Sequence, residues 1–101
     1  MTVSELKKKC KELPPNLDRL AVPDMMNVVT VSRDIGFCGM KTTTQLICDR
    51  KGEGIPVQEL LDFLEDVPDD ELVIIKTVRG RDISSDELIA YGENKGEFRY
   101  I

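Results

Sequence analysis

Two arginines flank a glycine in VRGRDISSDE, residues 78–87. The guanidinium forks of Arg79 and Arg81 could clasp a phosphate or carboxylate, with Gly80 loosening the backbone between them and Ser84 and Ser85 adding hydroxyl donors. The alternative is a charged turn whose arginines pair locally with Asp82 or Asp86. A second basic set, Arg50 and Lys51 with Gly52 and Gly54 in DRKGEGIP, stands just ahead of an expected helix start. Free amides and the helix dipole favour anions there. This set lacks the lysine–serine ending of a P-loop and the spacing of GxGxxG. Negative charge is gathered elsewhere: seven acids and no base lie between Val57 and Glu71. Asp62, Glu65, Asp66, Asp69 and Asp70 form a candidate face for docking on a basic protein groove, or else a solvated face that keeps the chain soluble.

Catalytic chemistry has little to stand on. The chain has no histidine, the side chain that most often serves as general base near neutral pH. The remaining acids, lysines and cysteines fall in no GxSxG, P-loop or HExxH pattern. Cys10, Cys38 and Cys48 form no CxxC pair and leave one thiol over in any disulfide scheme, which points to reduced cysteines in a reducing compartment. Zinc needs clustered ligands at short spacing, so neither metal nor cofactor is expected. RDIGFCGM carries Phe37, Cys38 and Met40 between glycines, either as an apolar tip offered to a partner or as a half-buried connection.

The elements that must position these residues follow from spacing. At 101 residues the chain suits one domain. Its 41 % apolar and 33 % charged residues are those of a globular protein, and its net charge of −5 disfavours direct nucleic-acid binding by the whole surface. The start, MTVSELKKK, lacks the pattern of a signal peptide, and no apolar run reaches the roughly 20 residues that span a bilayer, so a cytoplasmic protein is expected. Thr2 and Glu5 stand at capping-box spacing, Val3, Leu6, Cys10 and Leu13 share one helical face, and Pro14-Pro15 ends the segment. A second helix is expected from Pro56, with Val57, Leu60, Leu61, Leu64 and Val67 as its stripe and Phe63 widening it. Strand patterns occupy residues 27–33 and 42–49, and ELVIIKTV reads as a strand covered on both faces or central in a sheet. DELIAY and EFRYI are joined by GENKG as a hairpin.

The fold class expected is α+β: two amphipathic helices on an antiparallel or mixed sheet of about five or six strands. An offset of 54 residues pairs Val3, Glu5, Leu6 and Pro14 with Val57, Glu59, Leu60 and Pro68. The recurrence suggests helix–strand units over about 1–49 and 55–101 of a single domain, by duplication or by repeated use of one helix start and one proline stop.

MTVSEL followed by KELPPN, and VQELLDFLEDVPDDELVII after it, resemble small phage and prophage accessory proteins that begin TVxEL, run one helix, break at LPP and enter a strand. The resemblance covers about a third of the chain and transfers no functional residue. It implies a viral accessory protein acting on host machinery, including defence components. The function expected is a non-enzymatic, counter-defence inhibitor that binds a host protein in the host cytoplasm. The alternatives are a sequestering protein for a small anionic signalling nucleotide, held at the Arg79 and Arg81 loop, and a virion assembly component. A homodimer is possible through a strand edge or through Phe98, Tyr100 and Ile101.

Overall fold

Thr2 starts the first helix, α1 (Val3–Lys11). Its hydroxyl accepts from the Glu5 amide at 3.3 Å and donates to the Glu5 carboxylate at 3.2 Å, so the expected capping pair closes through its side chains. Lys8, Lys9 and Lys11 occupy the last turn, where the helix dipole favours cations. Pro56 is the cap of the second helix, α2 (Val57–Leu64), with extended backbone, rather than a member of its first turn. In this computed structural model residues 1–24, 26–35, 41–83, 87–94 and 96–101 are described. Among them no helix is long and apolar enough to cross a membrane.

Six strands complete the α+β fold: β1 (Arg19–Val22), β2 (Met26–Ile35), β3 (Thr42–Asp49), β4 (Val73–Thr77), β5 (Ile89–Tyr91) and β6 (Phe98–Tyr100), in spatial order β4-β3-β2-β1-β5-β6. All neighbours are antiparallel except β3 and β4, which run parallel and are joined through α2. A parallel pair needs such a crossover, because its connection must return the whole strand length. Both helices lie on one face. Val3, Leu6 and Cys10 of α1 and Leu60 and Leu64 of α2 pack with Leu20, Val22, Val28, Leu46, Cys48, Val73 and Ile75 of the sheet. Each such leucine or valine stabilises the fold by about 1.5–3 kcal/mol. Burial also pushes the Cys10 and Cys48 thiols up to about 11, since a thiolate there would lose its water. The opposite face carries a smaller cluster of Ala21, Ile89 and Tyr91.

β4 lies at a sheet edge, so of the two readings of its apolar run, covered on both faces or central in the sheet, the central one does not hold. Its outer side is covered instead: Val73 N–H donates to Met1 O at 2.9 Å, Thr77 N–H to Arg81 O at 2.8 Å, and Ile83 N–H donates to Ile75 O at 2.9 Å. Val73 and Ile75 of the run pack with the helices, Leu72 and Val78 are exposed, and neighbouring backbone seals the edge.

β1 carries a second departure. Its pairing with β2 stops after Ala21 and Asn27, near a register shift between Val28 and Thr30 in the β2–β3 ladder. There the loop entering α2 takes over. Ile55 N–H donates to Val28 O at 2.7 Å, Val57 N–H to Asp18 O at 2.8 Å, and Pro56 bridges Arg19.

Candidate functional site

Parallel pairing decides where charge collects. Cys48 stands beside Thr77, and Val78 N–H donates to Cys48 O at 3.0 Å, so β3 and β4 finish side by side. The residues that leave them are Arg50 and Lys51 on one strand and Arg79 and Arg81 on the other. The structure thus brings to one end of the sheet two basic sets that lie far apart in sequence. All four side chains are exposed, and none makes a hydrogen bond or ion pair among the described residues.

Each set rides on a defined turn. Gly80 has a φ of 84°, a conformation glycine adopts without strain; its amide donates to Thr77 O, and the Arg81 amide donates to Thr77 Oγ1 at 3.1 Å. Local pairing of the arginines with Asp82 does not occur, since Asp82 faces Lys76 at 3.8 Å. Ser84, Ser85 and Asp86 lie outside the described residues, as do Phe37, Cys38 and Met40.

The Arg50–Lys51 loop is moored by a polar network that spacing did not reveal. Arg19 Nη1 donates to Gly54 O at 2.5 Å, Asn27 Nδ2 to Gly52 O at 2.8 Å, and the Tyr91 hydroxyl to Asn27 Oδ1 at 2.6 Å. Burial raises the Tyr91 phenol above its ordinary value, and the Gly54 amide partly opposes this. Gly54 has no room for a side chain: a Cβ would sit 2.7 Å from the Tyr91 hydroxyl oxygen and 3.3 Å from Leu20 O. The glycines of DRKGEG were the signal for this close approach; nothing in the sequence indicated the other members.

The opposite end of the β3–α2–β4 unit is acidic. Asp62 is in the last turn of α2, Glu65 is its C-cap, and Asp66, Asp69 and Asp70 follow before β4; all five are exposed. No base stands in the last turn. Asp62 accepts from Gln58 Nε2 at 2.9 Å, and Asp69 meets Lys7 of α1 at 3.1 Å, so the two helix regions of opposite sign touch through one ion pair.

The seventh acid of the run behaves differently. Glu71, its side chain only 5 % exposed, receives both Arg33 Nε at 3.0 Å and Arg33 Nη2 at 2.6 Å, with Thr44 Oγ1 donating at 2.5 Å. The arginine hydrogen bonds hold the Glu71 carboxyl below its usual range against the opposing effect of burial, and Glu71 in turn raises Arg33. A groove of about 390 Å³ beside this pair is lined by Lys41, Thr43, Asp70 and Leu72 among others. Its mixed charges select no single ligand class. No group of histidine, cysteine, aspartate and glutamate among the described residues could hold a metal ion.

No protein-family model, curated protein or solved structure matches this chain.

Proposed function

We propose that this chain is a non-enzymatic accessory protein of viral type that occupies a basic surface of a host protein with the acidic end of its β3–α2–β4 unit. The observation that carries this reading is the placement of Asp62, Glu65 and Asp66 at the carboxyl end of α2 with no base in the last turn. Carboxylates at that end oppose the helix dipole and lower stability by about 0.3–1 kcal/mol each. Unlike Glu71 they are exposed, and the one side-chain contact among them is the Asp62–Gln58 hydrogen bond at 2.9 Å, so their carboxylates keep acceptor capacity for a partner. A basic groove that ordinarily holds nucleic acid, such as that of a defence nuclease, has the complementary charge. The phage-like TVxEL and LPP strings support the viral setting and a cytoplasmic site of action.

Capture from host lysate tests this. The wild-type chain should retain a basic partner that the Asp62→Lys/Glu65→Lys/Asp66→Lys variant loses, and undiminished capture by the variant would sink the reading.

A second reading has an observation of its own. The convergence of Arg50, Lys51, Arg79 and Arg81 at the carboxyl ends of adjacent parallel strands is where open sheets hold anionic ligands, and it supports sequestration of a small anionic nucleotide. Calorimetry with a nucleotide panel should give heat with at least one member, lost on Arg79→Ala/Arg81→Ala. Silence across the panel removes this reading and leaves the first untouched.

A further inference from the structure

The sheet has one sealed edge and one open edge. β4 is covered by Met1 and by the segment that follows it, through Arg81 and Ile83, whereas nothing among the described residues pairs with the outer side of β6. Phe98 and Tyr100 stand on that strand 58 % exposed each, with ring centroids 5.9 Å apart in an edge-to-face arrangement. Large exposed aromatics on an unpaired edge form a template for another strand.

The backbone of β6 defines what that strand can be. Ile101 N–H donates to Leu88 O at 3.0 Å, so residues 99 and 101 direct their amides and carbonyls toward β5. By alternation, Phe98 and Tyr100 direct theirs outward. Two copies related by a twofold axis can join antiparallel in a small number of registers. Centred on Arg99, the pairing sets two like charges directly opposite each other. Centred on Phe98, it makes a hydrogen-bonded Phe98–Phe98 pair, places Tyr100 opposite the backbone of Gly96, and sets Glu97 of each copy against Arg99 of the other. These last are non-hydrogen-bonded positions, where facing side chains come closest. The Gly96 amide already donates to Asn94 Oδ1 at 3.3 Å, so the ladder bonds rest on the Phe98 pair, and the segment Glu97–Tyr100 is complementary to itself in charge and in aromatic surface.

We infer that β6 is the contact of a homodimer in which two sheets join edge to edge, antiparallel, with Phe98 on the twofold axis. Three residues of strand bury less surface than a standard stable interface, so the dimer is weak and depends on concentration. Glu97 already accepts from Asn16 Nδ2 at 3.1 Å and Arg99 reaches Glu12 O at 3.4 Å; both contacts leave donor and acceptor capacity for the partner.

Sedimentation velocity of the full chain over a range of concentrations tests the inference. The wild type should shift from the mass of one chain to that of two. Arg99→Glu sets carboxylates against carboxylates and should weaken dimerisation about tenfold. Glu97→Arg/Arg99→Glu swaps the charges and should restore it. Both positions are exposed, so the fold is retained, and circular dichroism checks this. A wild type that stays monomeric throughout would overturn the proposal and leave the edge to a strand of a different protein. A dimer indifferent to Arg99→Glu, or one weakened by it and not rescued by the swap, would overturn it equally.

Discussion

The two ends of the β3–α2–β4 unit hold charge in opposite ways. At the amino end of β4 one carboxylate, Glu71, is drawn inside and bonded by Arg33 and Thr44, while Glu65, Asp66 and Asp70 stay in water around it. At the carboxyl ends of β3 and β4 Arg19 is drawn partly inside but bonds a backbone carbonyl, that of Gly54, rather than a carboxylate. Four basic side chains stay exposed, and the loop beneath them is held by the uncharged contacts of Gly52, Gly54, Asn27 and Tyr91 together with Arg19. Buried charge in this protein is bonded and serves the fold. Exposed charge is mostly unpaired, and the only ion pairs besides Arg33–Glu71 among the described residues are Lys7–Asp69 and Lys76–Asp82. Such exposed pairs contribute at most about 1 kcal/mol each.

Removing the bonded carboxylate should give the largest effect. Glu71→Ala leaves the Thr44 hydroxyl, which is fully buried, without its acceptor and should lower stability by about 2–3 kcal/mol. Thermal unfolding would register this as a fall on the order of 10 °C for a domain of this size. The same contact has a pH signature. Because the folded-state pKa of Glu71 is depressed, its contribution is present above the ordinary carboxylate range and fades as pH falls through the lower folded value. The acid limb of a stability–pH profile should therefore be shallower in Glu71→Gln. Equal acid sensitivity of the two proteins would assign the titration to other groups.

The basic end should answer to shape rather than charge. Gly54→Ala inserts a Cβ against the Tyr91 hydroxyl and the Leu20 carbonyl and should lower stability by about 1–2 kcal/mol, detectable by urea denaturation. Pairing it with Tyr91→Phe, which removes the clashing oxygen, should recover part of that loss. By contrast, replacing Arg50, Lys51, Arg79 and Arg81 with alanine should leave stability within about 0.5 kcal/mol of wild type, since none of the four is bonded. A large loss there would show that the basic end is structural, and the comparison would fail.

Much of this was legible beforehand and some was not, for physical reasons. Both helices, the α+β class and the closing hairpin announce themselves through local spacing and turn residues, which one sequence displays directly. β1 did not: its four residues, RLAV, run straight into Pro23 and Asp24, the latter with a φ of 74°, and alternation cannot be read over so short a stretch. The edge position of β4 was hidden because an apolar run records burial of side chains and not the number of strand neighbours. Among the candidate residues, Arg50, Lys51, Arg79 and Arg81 were each visible, yet their meeting depends on the parallel register of β3 and β4, which only the crossover through α2 determines. Glu71 looked like one more acid in a run. What set it apart was Arg33, 38 residues away in sequence.

Thermal unfolding of Glu65→Lys/Asp66→Lys at low salt tests most directly whether the acidic end is kept against the interest of the fold. Both residues are exposed at the carboxyl end of α2, where cations are favoured, so the account predicts a gain of about 1–2 kcal/mol, seen as a melting temperature raised by roughly 5 °C. An unchanged or lowered melting temperature would contradict it, because these carboxylates would then be serving the fold and would need no partner to explain them.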